Sequence, residues 1–206
     1  STNDEQPLVS VIIASYNHGP YIEASIGSVL AQTYGNIELL VVDDGSSDDS
    51  VGRIQRLQKQ HGFDFVVQKN QGLSRTLNDS IARARGDLIV SFGSDDVMLP
   101  QRVALQVAYM QGKPQVGICA GNIKEIDALG HSRGVPPQLS LRRLDFDDVF
   151  LNRKVGAPAP TLMFRREALA AVGGFDPQIR LEDLYIQLKI TRAGYYVDIL
   201  PDVLAL

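Results

Sequence analysis

Five short apolar runs punctuate the first 120 residues: Leu8–Ala14, Ile37–Val42, Phe63–Val67, Leu88–Phe92 and Val116–Ala120. Each gap between them carries apolar residues at helical spacing. Ile22, Ile26, Val29 and Leu30 fill the first, and Val51, Ile54 and Leu57 the second. Leu73, Leu77 and Ile81 fill the third, and the Pro100–Met110 stretch the fourth. Continuous apolar strands separated by amphipathic helices cannot pair as hairpins. They bury both faces as a parallel sheet between two helical layers. The pattern therefore predicts an α/β/α sandwich with a mostly parallel central sheet. Ligands in such sheets bind beyond the C-terminal ends of the strands.

The second half is less regular. Asn122–Leu144 reads as a strand or hairpin followed by a loop containing Val135-Pro136-Pro137, and Asp145–Asn152 as a short helix. Pro160–Phe164 suits a strand, Arg165–Val172 a helix stopped by Gly173-Gly174, Leu181–Ala193 a helix, and Tyr196–Leu200 a last strand. Gly86 is read as the stop of the Leu73 helix, and Ser46–Asp49 as caps for the helix bearing Val51, Ile54 and Leu57. No repeat or linker divides the chain, so residues 1–206 are taken as one domain.

A net charge of −4 argues against a duplex nucleic-acid binder, which carries a basic face. Cys119 lies within an apolar run, as an inert buried thiol would. His18, His61 and His131 have no ligand spacing, so they are read as surface or loop residues and a zinc site is not expected. No apolar stretch approaches the length of a membrane span, and Ser1–Gln6 is too polar for a signal peptide.

Two of the strands run straight into paired acids. Leu39–Val42 leads into Asp43-Asp44-Gly45, and Leu88–Phe92 into Gly93-Ser94-Asp95-Asp96. Adjacent carboxylates at a strand end repel one another unless a cation or polar ligand lies between them. Hard divalent cations take one or two carboxylates together with phosphate oxygens. The second pair is the stronger candidate for a Mg²⁺ or Mn²⁺ site. For Asp43-Asp44 three readings stand: a ribose or base contact, an aspartyl phosphatase turn whose acids are wrongly spaced, and a plain turn ahead of a helix.

The first strand–helix turn, Ser15–Tyr21, lacks the glycine spacing of a dinucleotide site; Tyr16 suits a stacking contact or a rim aromatic, and Asn17 a ligand bond or a helix cap. Arg75 suits a phosphate at a helix N-terminus or a solvated helix face. Glu182 and Asp183 open a helix that carries Lys189 and Arg192 at its far end. They either stabilise its first turn or supply a general base.

Together these residues resemble the family 2 glycosyltransferases of the GT-A fold. The pieces are Val9–Asn17, Ser28–Thr33, Val42–Ser46, Asn70–Leu73, Gly86-Asp87, Ser94–Asp96, Gly173–Asp176 and Glu182-Asp183. The resemblance implies a nucleotide-sugar-binding half over residues 8–96 and a smaller acceptor-binding half over residues 97–206. It implies inverting, metal-dependent transfer of one sugar to a hydroxyl, with Mn²⁺ or Mg²⁺ and a UDP-sugar donor favoured. By position, Ala14, Tyr16 and Asp44 would line the nucleoside pocket with Asp43 close by, and Arg75 would sit by the base or phosphates. Asp95 would face ribose or sugar, Asp96 would bind the metal, Asp183 would be the base, and Glu182 would lie on the acceptor side. A glycan or lipid-linked acceptor is implied, in bacterial surface polysaccharide or glycan synthesis. The cytosol near the inner membrane is the expected setting, with peripheral membrane contact through a region beyond Leu206. Gly93 stands where many members carry a third aspartate, and no Q-x-x-R-W of processive synthases is present. A nucleotide-sugar-binding module and, more remotely, a Mg²⁺-dependent phosphatase are the alternatives.

Overall fold

The structure, a computed structural model, describes residues 6–127, the backbone of 132–133, and residues 139–206. The first half is built as the periodicity predicts. Strands β1 (Val9–Ser15), β2 (Ile37–Asp43), β3 (Asp64–Val67) and β4 (Leu88–Gly93) alternate with helices α1 (Gly19–Leu30), α2 (Ser50–His61) and α3 (Leu73–Arg83). Helix α4 (Arg102–Met110) leads to β5 (Val116–Ile123) and a small hairpin, β6 (Glu125–Ile126) with β7 (Ser132–Arg133). Then come β8 (Arg142–Leu144), α5 (Phe146–Phe150), a 3-10 turn (Ala159–Thr161), β9 (Met163–Arg165), α6 (Arg166–Ala171), α7 (Glu182–Arg192) and β10 (Tyr196–Ala205). The expectations for Val135–Pro137 and His131, and for residues 1–5, lie outside the described residues.

The main sheet has the order β3-β2-β1-β4-β9-β5-β10-β8. Strands β1 to β4 are mutually parallel, and β10 runs parallel to β5. Strand β9 is antiparallel to both its neighbours, β4 and β5, and β8 is antiparallel to β10. The sheet is therefore mixed, with the parallel direction dominant. Apolar side chains pack on both faces. Ile22, Ile26, Ile54, Val103 and Val107 cover one, and Leu77, Leu169, Ile186 and Ile190 the other. This is the two-sided burial that continuous apolar strands require.

Two local expectations are corrected. Gly86 does not stop α3, which ends at Arg83 with Ala84 already extended. The Arg166 guanidinium caps that end by donating to the carbonyls of Ile81, Ala84 and Gly86. Gly86 is instead a point of close approach to β1: a Cβ there would lie 2.7 Å from both the Leu8 carbonyl and the Ser10 nitrogen. Asp49 occupies the N-cap of α2 without a side-chain capping bond, its carboxylate pairing with Arg53 instead, and Asp48 does the work. Its carboxylate accepts from the Ser50 nitrogen at 3.0 Å and the Gly19 nitrogen at 2.9 Å, tying together the starts of α2 and α1.

Candidate functional site

The sheet order places β1 between β2 and β4, and the chain leaves β1 for β2 on one side and reaches β4 on the other. Such a reversal leaves a crevice beyond the strand ends. The register sets Ala14 beside Gly93 at the tip of the β1–β4 pair. A cavity of about 250 Å³ opens there. Ala14, His18, the Gly93–Asp96 turn, Leu73, Phe175, Glu182 and Asp183 are among its walls. Of the residues singled out in the sequence, Ala14, Asp95, Asp96, Glu182 and Asp183 are thus brought into one space.

Asp96 is half-buried and Asp95 exposed. Burial first, and the neighbouring Asp95 charge second, push the Asp96 carboxyl up to about 6, against the pull of Arg102 and His18. Arg102, in the first turn of α4, is wholly buried and donates to the Pro160 and Leu162 carbonyls and to Gln106. Its guanidinium also lies 5.2 Å from the centre of the Phe92 ring. Gly93 lets the Asp96 carboxylate fold over the strand end, since a Cβ at 93 would fall 2.3 Å from Asp96 Oδ2. His18 contacts Ser94 Oγ through Nδ1 at 2.6 Å, which fixes the turn that carries both acids. Reading His18 as an unremarkable loop residue missed this. Its place one turn beyond β1 was the available signal.

The other wall is held by a clamp from α3. The Asn78 side chain donates to the Phe175 carbonyl at 2.8 Å and accepts from the Phe175 nitrogen at 2.9 Å. Phe175 packs edge-on against Phe164, with ring centres 5.8 Å apart. Lys189 donates to the Gly174 carbonyl at 2.8 Å, fixing the same segment to α7. The start of α7, with Glu182 and Asp183, is thereby docked against the cavity. Burial, chiefly, and then the adjacent Asp183 raise the Glu182 carboxyl above its ordinary value.

Tyr16, Asp43, Asp44 and Arg75 stand outside this cavity. Tyr16 is exposed. Asp43 is buried and accepts from the Gly45 and Ser46 nitrogens and from Ser46 Oγ, so its carboxylate folds its own turn. That saturation counts against a phosphatase nucleophile. Asp44 Oδ1 accepts from Gln68 Nε2 and the Gln71 nitrogen, both at 2.9 Å, and Oδ2 from the Gly72 nitrogen at 3.0 Å. It pins the entry to α3. The two acidic pairs stand at the same edge of the sheet with β1 between them, two strand spacings or roughly 10 Å apart. Asn17 does not cap α1; its Oδ1 accepts from the Ser47 nitrogen and laces the β1 and β2 turns together.

The architecture and the order of these elements agree with a family model. The Glycosyl transferase family 2 model matches residues 10–173. The chain belongs to this family. An uncharacterised glycosyltransferase of Nostoc sp. is 37% identical over 180 residues, which cover 82% of this chain and 54% of that one. The amylovoran biosynthesis glycosyltransferase AmsE of Erwinia amylovora is 26% identical over 206 residues, covering 96% and 74%. Among solved structures, the Pyrobaculum calidifontis mannosyltransferase PcManGT, in complex with GDP-Man and Mn²⁺, superposes with a TM-score of 0.76 at 22% identity, covering 97% of this chain and 56% of that one. S. aureus TarS in complex with UDP-GlcNAc gives 0.76 at 19% identity, covering 96% and 57%. These likenesses establish the GT-A-like α/β fold. The chain spans about half the length of the Nostoc protein and of both solved chains.

Proposed function

We propose that this chain carries the donor site and the catalytic base of an inverting, cation-dependent glycosyltransferase that moves one sugar from a nucleotide sugar to a hydroxyl. One observation carries the reading: Asp95 and Asp96 on one wall and Asp183 on the other line a single cavity at the β1–β4 crevice. Nucleotide sugars and Mn²⁺ in the named complexes of the family's structural neighbours support it.

Among the described residues no three His, Cys, Asp or Glu side chains converge as a metal cluster. The donor set that is present suits Mg²⁺ or Mn²⁺ nonetheless, because those ions take one or two carboxylates and complete their shell with phosphate oxygens and water. Asp96, a half-buried acid beside a second acid, is the natural ligand, with Asp95 turned to ribose or sugar. When bound, the cation supplies positive charge against the diphosphate leaving group.

Asp183 accepts the proton of the acceptor hydroxyl. The hydroxyl oxygen forms its bond to the anomeric carbon as the bond from that carbon to the diphosphate oxygen breaks. The bonding pair departs with the nucleoside diphosphate, and attack opposite the leaving group inverts the centre. Phe175, Leu73 and Phe164 give the cavity an apolar wall that limits water. Tyr16 and Asp44 at the adjoining turns are assigned to the nucleoside, with Asp43 holding their turn. The amylovoran biosynthesis relative supports a role in polysaccharide synthesis; the acceptor is assigned here to a growing or lipid-linked glycan, and the reaction to the cytosolic face of a bacterial membrane.

A thermal-shift screen of UDP-, GDP- and dTDP-sugars with and without Mn²⁺ tests this. A ligand at a hundredfold excess over its Kd contributes about 2.7 kcal/mol to the folded state. The expected result is a cation-dependent rise with one donor base, accompanied by sugar release. Binding without release to any hydroxyl acceptor would instead leave a nucleotide-sugar-binding module.

A further inference from the structure

A second cavity, of about 180 Å³, opens beside the first on the far side of Glu182 and Leu73. Those two residues line both spaces, whereas Asp95 and Asp96 line only the larger one. Two exposed arginines from different elements line it, Arg75 in the first turn of α3 and Arg180 just ahead of α7. Neither has an ion pair or hydrogen bond among the described residues. Most of the other described arginines are engaged, Arg142 and Arg192 excepted, and the unpartnered Arg142 nitrogens are buried away from both cavities. Arg53, Arg85 and Arg143 pair with carboxylates, and Arg102, Arg165 and Arg166 donate to backbone carbonyls. Helix α3 also starts at this cavity with no acid in its first turn, so its dipole adds to the positive potential. Glu182 is the one acid in the lining, and it forms the partition toward Asp183.

We infer that this cavity is an acceptor subsite for an anionic group, a phosphate or carboxylate carried a few bonds from the reacting hydroxyl. The inference rests on the transferase reading above and names the class of its second substrate. Paired guanidiniums match the fork geometry of such oxyanions. An acceptor seated there places its hydroxyl across Glu182 at Asp183, while the donor diphosphate stays in the larger cavity with Asp96. Arg180 is the residue that separates this subsite from the donor, because Arg75 lies within reach of either substrate.

The test titrates glycerol 1-phosphate into protein saturated with Mg²⁺ and the nucleoside diphosphate that the donor screen selects. Backbone amide signals of residues 72–75 and the Arg75 and Arg180 side-chain signals are followed by NMR. Saturable shifts are expected with the nucleotide in place, and none with glycerol. Arg180→Gln should weaken the phosphate about tenfold, the loss of one charge-assisted contact, while nucleotide affinity stays within about twofold. Shifts that vanish when the nucleotide is bound would assign the cavity to the donor and overturn the inference. So would no shift at all, equal shifts with glycerol, or an Arg180→Gln titration that matches wild type. If no nucleotide binds, the transferase reading falls by itself, and the same phosphate titration on the free protein still decides whether Arg180 holds an anion.

Discussion

Replacing Asp96 by Asn should make the unliganded protein more stable, and the size of the gain follows from the site. A carboxyl displaced from 3.8 to about 6 binds its proton more tightly in the folded chain than in the unfolded one. Folding then loses stability as pH rises from about 4 through 6, and the loss is complete above that range. At about 1.4 kcal/mol per tenfold in acidity, the displacement amounts to roughly 3 kcal/mol, and partial solvent access reduces it to roughly 1.5 kcal/mol. For a chain of this size that is a rise of roughly 3 to 6 °C in Tm at pH 7.5. Asparagine keeps the shape that folds over Gly93, so the comparison isolates the charge. Thermal melts of both proteins from pH 4 to 8, without divalent cations, provide the assay. The gap between the two should be near zero at pH 4, widen through pH 6 and then level off. Acids remote from Asp96 move the absolute curves but cancel in the difference. An Asn variant that melts at or below wild type at pH 7.5, or a gap that ignores pH, would refute the account of Asp96 as a charge destabilised by burial and Asp95.

Gly93→Ala should leave stability nearly unchanged, because the clashing atom is the end of a side chain that can swing away. It should weaken cation-dependent nucleotide binding severalfold by moving Asp96, as calorimetry would record. Asp44→Ala removes the acceptor of the Gln68 side chain and of the Gln71 and Gly72 nitrogens and should cost about 1–3 kcal/mol in a urea titration. A loss under about 0.5 kcal/mol would show that the α3 entry holds without it. Asp183→Asn should keep donor affinity within about twofold while transfer falls at least about a hundredfold, the scale of a lost general base. Undiminished transfer in that variant would remove Asp183 from the base role.

Much of the fold was legible because strand and helix periodicities are local. The boundaries of β1, β2 and β4 lie within a residue or so of the apolar runs, and both acidic pairs end strands as expected. The 3-10 turn and short β9 in place of a longer Pro160–Phe164 strand were not legible, since three-residue elements carry no period. Nor was the antiparallel insertion of β9 between β4 and β5, which depends on pairing across about 75 residues of sequence.

The candidate site divides along the same line. That Asp95 and Asp96 would stand at the rim of a sheet, and Glu182 and Asp183 at a helix start, was settled by the residues nearest them in sequence. Whether these acids share a space was settled by sheet order and by the Asn78–Phe175 clamp, whose partners are 97 positions apart. The same holds for His18 with Ser94 and for Asp44 with the Gln71 and Gly72 nitrogens. A carboxylate reads alike in sequence whether its oxygens are free or filled. Only the folded chain decides which donors reach it, and here that left Asp96 open to a ligand while Asp43 was consumed by its own turn.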